Sequence, residues 1–186
     1  MNIIGGEKRG SKLALCASKA VRPTAQRTRE ALFNILQGGR FPLSLSQATV
    51  IDLFAGTGAI GLEALSRGAK SCVFVEQDQD ALQTLQANIR KLKLEDYAHI
   101  LAKDARQIHK WTGPCADLIF ADPPYDSGLA EEVLDKLFNA KAVSKQALVV
   151  VETRKSDYCQ LGTNFVQADS RVYGMARLSF FYLAKD

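Results

Sequence analysis

From residue 49 onward the chain alternates short apolar runs with amphipathic stretches. Apolar runs at 50–54, 72–75, 97–101, 118–121 and 147–151 predict five strands, and the patterns between them predict helices over 60–67, 78–92 and 129–138, with a short helical turn at 105–109. Strands without polar alternation bury both faces, so this order predicts a doubly wound, Rossmann-like α/β domain with a mostly parallel sheet. The tail breaks the rhythm. β-type residues at 164–173 and 177–183 flank Gly174 with no helix between them, which predicts an antiparallel C-terminal hairpin and a sheet of seven strands in all.

The front follows neither pattern. Residues 2–4 and 12–15 flank Gly5, Gly6, Arg9 and Gly10, and predict a small β-hairpin. A helix over 24–37 follows, with Ala25, Leu32, Ile35 and Leu36 spaced for one buried side, Thr24 as N-cap and Gly38-Gly39 as its stop. The chain is therefore expected to divide into an N-terminal basic hairpin and helix, residues 1–40, and a main domain, residues 41–186.

The 186 residues are 47% hydrophobic and 24% charged, enough for one well-filled core. No apolar run approaches the roughly 18 residues of a membrane helix, and the first residues lack the basic start and apolar segment of a secretory signal. A cytoplasmic location is the expectation. Cys16, Cys72, Cys115 and Cys159 lie far apart with no C-x-x-C spacing, so neither a zinc site nor a disulfide framework is expected. The net charge of +4 is uneven, because the first 40 residues hold eight Lys or Arg against only Glu7 and Glu30. Such an excess suits a phosphate-bearing partner, with a merely solvated surface as the ordinary alternative. Arg27 and Arg29 would stand in the first turns of the predicted helix, where the helix dipole disfavours cations, and an anionic ligand there would offset that cost.

Chemistry gathers at the predicted strand ends. After the first strand comes Asp52-Leu53-Phe54-Ala55-Gly56-Thr57-Gly58-Ala59-Ile60-Gly61, in which Gly56 and Gly58 permit a tight turn close to a ligand and Gly61 lets the next helix pack on the strand. A plain strand-to-helix turn also explains such glycines. Glu76, at the end of the second strand, stands where an acid meets a ribose diol. The glycine spacing by itself permits a dinucleotide. Asp52 is the discriminator, because a carboxylate just before the turn is poorly placed beside a pyrophosphate and suits an ammonium group, which S-adenosylmethionine carries. Asp104, followed by Ala105, could accept from an adenine amino group or cap the following turn, and the two roles are compatible.

The fourth strand ends in Asp122-Pro123-Pro124-Tyr125. The two prolines remove amide donors and stiffen the backbone, leaving the Asp122 carboxylate and the Pro123 carbonyl as a fixed pair of acceptors. Such a pair fits an exocyclic amine with two N–H bonds. Holding both would turn the nitrogen lone pair toward an electrophilic methyl, and Tyr125 would stack on the base.

DLFAGTG, Glu76, Asp104-Ala105 and DPPY in this order resemble the class I S-adenosylmethionine-dependent methyltransferases that act on amines. Ile3-Ile4-Gly5-Gly6, Arg9-Gly10 and RPTAQRTREALFNIL over 22–36 resemble, more specifically, the bacterial enzymes that methylate a guanine N2 of small-subunit (16S) ribosomal RNA. The resemblance covers nearly the whole chain. It implies S-adenosylmethionine as methyl donor and a guanine in small-subunit rRNA, within an assembled or assembling subunit, as target. The candidate residues are then Asp122, Pro123 and Tyr125 for catalysis, and Asp52, Phe54, Gly56, Gly58, Glu76, Asp104 and Ala105 for the cofactor. Arg9, Arg22, Thr24, Arg27 and Arg29 are the candidates for RNA. A monomer without metal is expected. Thr24-Ala25-Gln26 stands where family members commonly have Thr-Thr-Asp or similar, which bears on the RNA contacts. N6-adenine methylation of DNA or RNA, methylation of a protein glutamine and a non-catalytic RNA-binding assembly factor are the alternatives.

Overall fold

The computed structural model describes residues 1–16, 26–124 and 128–184. In chain order the elements are α1 (Gln26–Gln37), β1 (Thr49–Leu53), α2 (Ala59–Ser66), β2 (Ser71–Glu76), α3 (Gln79–Leu92), β3 (Ala98–Ala102), β4 (Ala116–Ala121), α4 (Leu129–Asn139), β5 (Val143–Arg154), β6 (Phe165–Tyr173) and β7 (Ala176–Leu183). A 3-10 turn, Ala105–Gln107, follows β3. The seven strands form one sheet in the order β3-β2-β1-β4-β5-β7-β6, parallel from β3 to β5 and antiparallel beyond.

Period-two alternation sorts the apolar runs onto two faces. Val50, Phe74, Leu118, Phe120, Leu148 and Val150 pack under α1, α2 and α3. Their neighbours Ile51, Val73, Ile119, Val149 and Val151 pack under α4 and the 3-10 turn. This is the expected doubly wound arrangement. The order reverses between β1 and β4, so the crevice of the fold opens at the carboxyl ends of those two strands.

Two features differ in extent from the sequence pattern. β5 continues three residues past its apolar run because β7 pairs with it antiparallel, Glu152 opposite Leu178 and Arg154 opposite Ala176. Ladder pairing extends the strand into polar residues that hydrophobicity alone marks as its end. Second, β7 and not β6 is the inner strand of the hairpin. Its residues Leu178 to Phe181 are buried, whereas most of β6 is open to solvent at the edge.

The expected front hairpin is reduced to one antiparallel bridge, Asn2 with Lys12, with the bonds Ile3 N–H to Ser11 O, Gly10 N–H to Ile3 O and Leu13 N–H to Met1 O, each at 2.9 Å. What fixes it is docking. The buried Glu63 carboxylate of α2 accepts from the amides of Ile4 at 2.7 Å and Gly5 at 2.8 Å, while Ser66 Oγ accepts from Lys8 N at 2.9 Å. Gly6 has φ +76°, and a Cβ there would lie 1.8 Å from Ser66 O, so only glycine permits this approach. Asn88 of α3 accepts from Ala14 N at 2.7 Å and donates to Thr57 O at 3.1 Å, joining the front to the glycine turn. Ile3, Leu13, Leu32 and Phe33 consequently share the core cluster of Leu62 and Phe74. The expected helix start at Thr24, with Arg22, lies outside the described residues.

Candidate functional site

The glycine turn after β1 is closed by its own backbone, with Ala55 N–H donating to Val75 O at 3.0 Å and Gly58 N–H to Ala55 O at 2.8 Å. Phe54, Gly56 and Gly58 adopt positive φ of 58°, 54° and 80°. Glu76 fixes the turn to β2: one oxygen accepts from Gly56 N at 2.7 Å, and the other from Gln77 N at 2.7 Å and Asp78 N at 2.8 Å. Its carboxylate is thereby oriented at the lip of a cavity of about 1200 Å³ that runs along the carboxyl ends of β1, β2, β4 and β5.

Each of these strands delivers one acid to the cavity wall: Asp52, Glu76, Asp122 and Glu152. Asp52 is buried, and its Oδ2 accepts from Gly61 N at 2.9 Å in the first turn of α2. Burial, with smaller contributions from Asp122 and Glu76, raises its pKa to about 8, against the Gly61 hydrogen bond that lowers it. Glu152 is raised to about 8 by burial and by the Asp122 charge. Asp122 and Pro123 are half-buried, directly after β4. A wall of carboxyl groups suits a ligand rich in N–H bonds or positive charge. It opposes a pyrophosphate, and Asp52 already occupies a helix amide where one would bind.

Phe54, Gly56 and Ala105 also line the cavity, and Arg27 of α1, exposed, stands at its wall. Arg9 is exposed on the front loop. Two of the cofactor candidates fall elsewhere. Gly58 serves packing: a Cβ there would meet Leu85 Cδ1 at 2.3 Å, and the residue is not among those at the cavity wall. Asp104 is also off the wall. It caps the 3-10 turn, accepting from Arg106 N at 2.9 Å and pairing with Arg106 Nη2 at 2.6 Å, and the Arg106 bonds hold its pKa below the ordinary value. Of the two compatible roles expected for Asp104, the structure displays the cap.

Arg29 is a correction. Its side chain is fully buried, with 0% exposure, where the charge pattern had suggested an RNA contact. Nη2 donates to Asn2 O at 2.5 Å and Nε lies 3.8 Å from Glu63 Oε2, beyond hydrogen-bond range but close enough for attraction. Burial lowers its pKa, partly offset by Glu63. The cation set against the helix dipole therefore answers a carboxylate on α2. Tyr125, Arg22 and Thr24 lie outside the described residues.

The sequence reading passed over Glu152 and the rim. Tyr158 and Met175 are 79% and 82% exposed at the cavity mouth, and the Arg177 guanidinium lies 4.3 Å from the centroid of the Tyr158 ring. Their only sequence signal is an aromatic and a methionine in polar loops. Among the described residues no His, Cys, Asp and Glu group could hold a metal ion, and no helix is long and apolar enough to cross a membrane.

The chain matches the family described as Conserved hypothetical protein 95 over residues 1–182. It is 38% identical over 153 residues to Ribosomal RNA small subunit methyltransferase D of Escherichia coli K12, covering 82% of this chain and 74% of that protein. The protein of the same name from Haemophilus influenzae is 35% identical over 158 residues, covering 83% and 79%. The solved structure of yhhF from Escherichia coli superposes with a TM-score of 0.83 at 32% identity, covering 98% of this chain and 97% of that one.

Proposed function

Because the chain belongs to the Conserved hypothetical protein 95 family and has the fold of class I methyltransferases, we propose that it is an rRNA methyltransferase. In the finer form of this reading, the methyl group passes from S-adenosylmethionine to the exocyclic N2 amine of a guanine in small-subunit (16S) rRNA, within an assembled or assembling subunit. The observation that carries it is one continuous cavity in which Asp122 and Pro123 share the wall with the glycine turn, Glu76 and Asp52.

The residues fit the cofactor. Glu76, held by three amides, keeps lone pairs for a ribose diol, Phe54 and Ala105 offer apolar wall, and Asp52 meets the amino-acid cation. When bound, S-adenosylmethionine supplies a sulfonium-activated methyl. Asp122 and the Pro123 carbonyl accept the two amine hydrogens and orient the nitrogen lone pair; Asp122 also stabilises positive charge on that nitrogen. Tyr125 supplies the stacking face, and the basic front, residues 1–40, holds the RNA backbone.

Asp52 gives a signed pH prediction. Its folded pKa of about 8 lies above the ordinary carboxylate value, so its contribution to stability is complete below that value and is lost as pH rises toward and through about 8. The empty protein's melting temperature is expected to fall between pH 5 and 9 more steeply than that of Asp52→Asn, and wild-type affinity for S-adenosylmethionine to rise over the same interval. Parallel curves for the two proteins would remove Asp52 from this role.

Arg27→Ala is expected to weaken RNA binding and lower the slope of log affinity against log salt by about 1, leaving cofactor affinity unchanged. An unchanged slope would take Arg27 off the RNA path. The function itself is tested by methylating naked RNA and assembled subunits from cells lacking this enzyme, then analysing the nucleosides. N2-methylguanosine is expected, and N6-methyladenosine would favour the adenine alternative. No methyl transfer to either substrate would overturn the reading.

A further inference from the structure

Of the six large apolar side chains exposed among the described residues, Tyr158 and Met175 are the two most exposed, and they are the two that line the cavity. Strand pairing explains why both reach its mouth. β7 runs antiparallel beside β5 with Ala176 opposite Arg154, so the β6–β7 turn, Gly174 and Met175, comes to the carboxyl edge of β5. Along that edge the order is Glu76 of β2, the glycine turn after β1, Asp122 after β4, and then this rim. A methyl acceptor held at Asp122 therefore lies between the cofactor side and the rim.

Hydrogen bonds tie the rim down. Lys155 N–H donates to Met175 O at 2.8 Å and Asp157 N–H to Arg154 O at 2.9 Å, which fixes the segment before Tyr158. Arg177 donates through Nη1 to Ser170 Oγ at 3.2 Å and through Nη2 to Lys155 O at 2.9 Å. The guanidinium so held lies against the Tyr158 ring, 4.3 Å from its centroid. One face of the ring thus rests on a fixed cation, and the exposure of the residue leaves the other face to solvent. Arg154 and Lys155 are exposed beside it, Asp157 is the one acid over 153–159, and none stands over 170–177. An aromatic face already in place amid positive charge suits a nucleic-acid base and its phosphates, and binding there orders little that is not ordered beforehand.

We infer that Tyr158, supported by Arg177, stacks on a nucleotide next to the target in the RNA chain and holds the strand at the cavity mouth while the target base is inside. This rests on the function proposed above. A base whose amine reaches Asp122 has left its stack, and its neighbour in the chain loses a stacking partner. Tyr158 replaces that partner, Met175 on the adjoining turn adds a flexible apolar contact, and Arg154 and Lys155 meet the phosphates. The basic front and this rim then grip the RNA by different means, the front through charge and the rim chiefly through stacking.

Tyr158→Ala is expected to raise KM for small-subunit particles from cells lacking this enzyme by about 10–100-fold, with kcat and S-adenosylmethionine affinity within about threefold. The slope of log affinity against log salt is expected to stay at the wild-type value, because a lost stacking contact releases no counterions. Tyr158→Trp, which keeps an aromatic face, is expected to hold KM within about threefold of wild type. Particles reconstituted with an abasic residue on one side or the other of the target distinguish a base from any other partner of the ring. At one of the two positions the abasic residue is expected to raise the wild-type KM to the level of Tyr158→Ala, and to raise the KM of Tyr158→Ala no further. The inference falls, while the function stands, if Tyr158→Ala leaves KM unchanged, if Tyr158→Trp loses as much as Tyr158→Ala, or if cofactor affinity falls as far as KM rises. It also falls if the abasic losses add to that of the variant at both positions, which would give the ring to a ribosomal protein or a distant part of the RNA. If wild type makes no N2-methylguanosine from the natural particle, the function itself falls.

Discussion

Asp122→Ala is expected to lower methyl transfer to small-subunit particles by about 10²–10³-fold while leaving S-adenosylmethionine affinity within about threefold. The split follows from position. Asp122 ends β4, which pairs with β1 on one side and β5 on the other, so it faces the half of the cavity beyond the glycine turn. The groups expected to hold the cofactor, Glu76, Phe54 and Asp52, come from β2, β1 and the turn between β1 and α2. Removing the Asp122 carboxylate deletes an acceptor that orients the amine and stabilises its developing positive charge, roles that concern the methyl acceptor and not the cofactor. Isothermal titration for the cofactor and single-turnover methylation separate the two effects. Unchanged turnover would remove Asp122 from the chemistry, and equal loss of binding and turnover would make it a structural acid.

Glu63→Ala is expected to cost about 3–5 kcal/mol of stability, lowering the melting temperature by on the order of 10 °C. Glu63 has no solvent exposure and serves four partners: the amides of Ile4 and Gly5, Arg67 Nε at 2.7 Å, and Arg29 at 3.8 Å. Truncation leaves the buried Arg29 guanidinium without its nearest anion and two amides without an acceptor. Arg29→Ala destabilises by the same route, whereas Arg27→Ala, on the exposed side of the same helix, leaves stability within about 0.5 kcal/mol. Urea unfolding of the three variants checks the contrast. A loss below about 1 kcal/mol for Glu63→Ala would mean that apolar packing of Ile3 and Leu13 alone holds the front in place. Two arginines separated by one residue thus have opposite expected effects, one on stability and one on RNA affinity.

Much of the architecture was legible because it rests on short-range rules. Uninterrupted apolar runs and amphipathic periods place β1, β2, β4 and α2 to α4 within a residue or two. Strand-end acids were legible for the same reason: once 50–54, 72–75 and 118–121 are strands, Asp52, Glu76 and Asp122 must come to the same edge of a parallel sheet. Glu152 escaped notice because the apolar run of β5 stops at Val151, and nothing local signals that β7 will extend the strand. Asp104 carried two compatible local readings, and the fold displays the cap through Arg106, two residues on.

The sequence by itself determined the order of strands and helices, the glycine turn and the acids at the carboxyl edge, since backbone sterics and burial period act over a few residues. Tertiary structure decided which hairpin strand lies inside the sheet, that Glu152 joins Asp122 at the cavity, and that Arg29 faces Glu63 instead of solvent. Those outcomes depend on partners distant in the chain: a buried charge is stable only where the fold brings an opposite charge to it, and a strand continues only where another backbone supplies its hydrogen bonds.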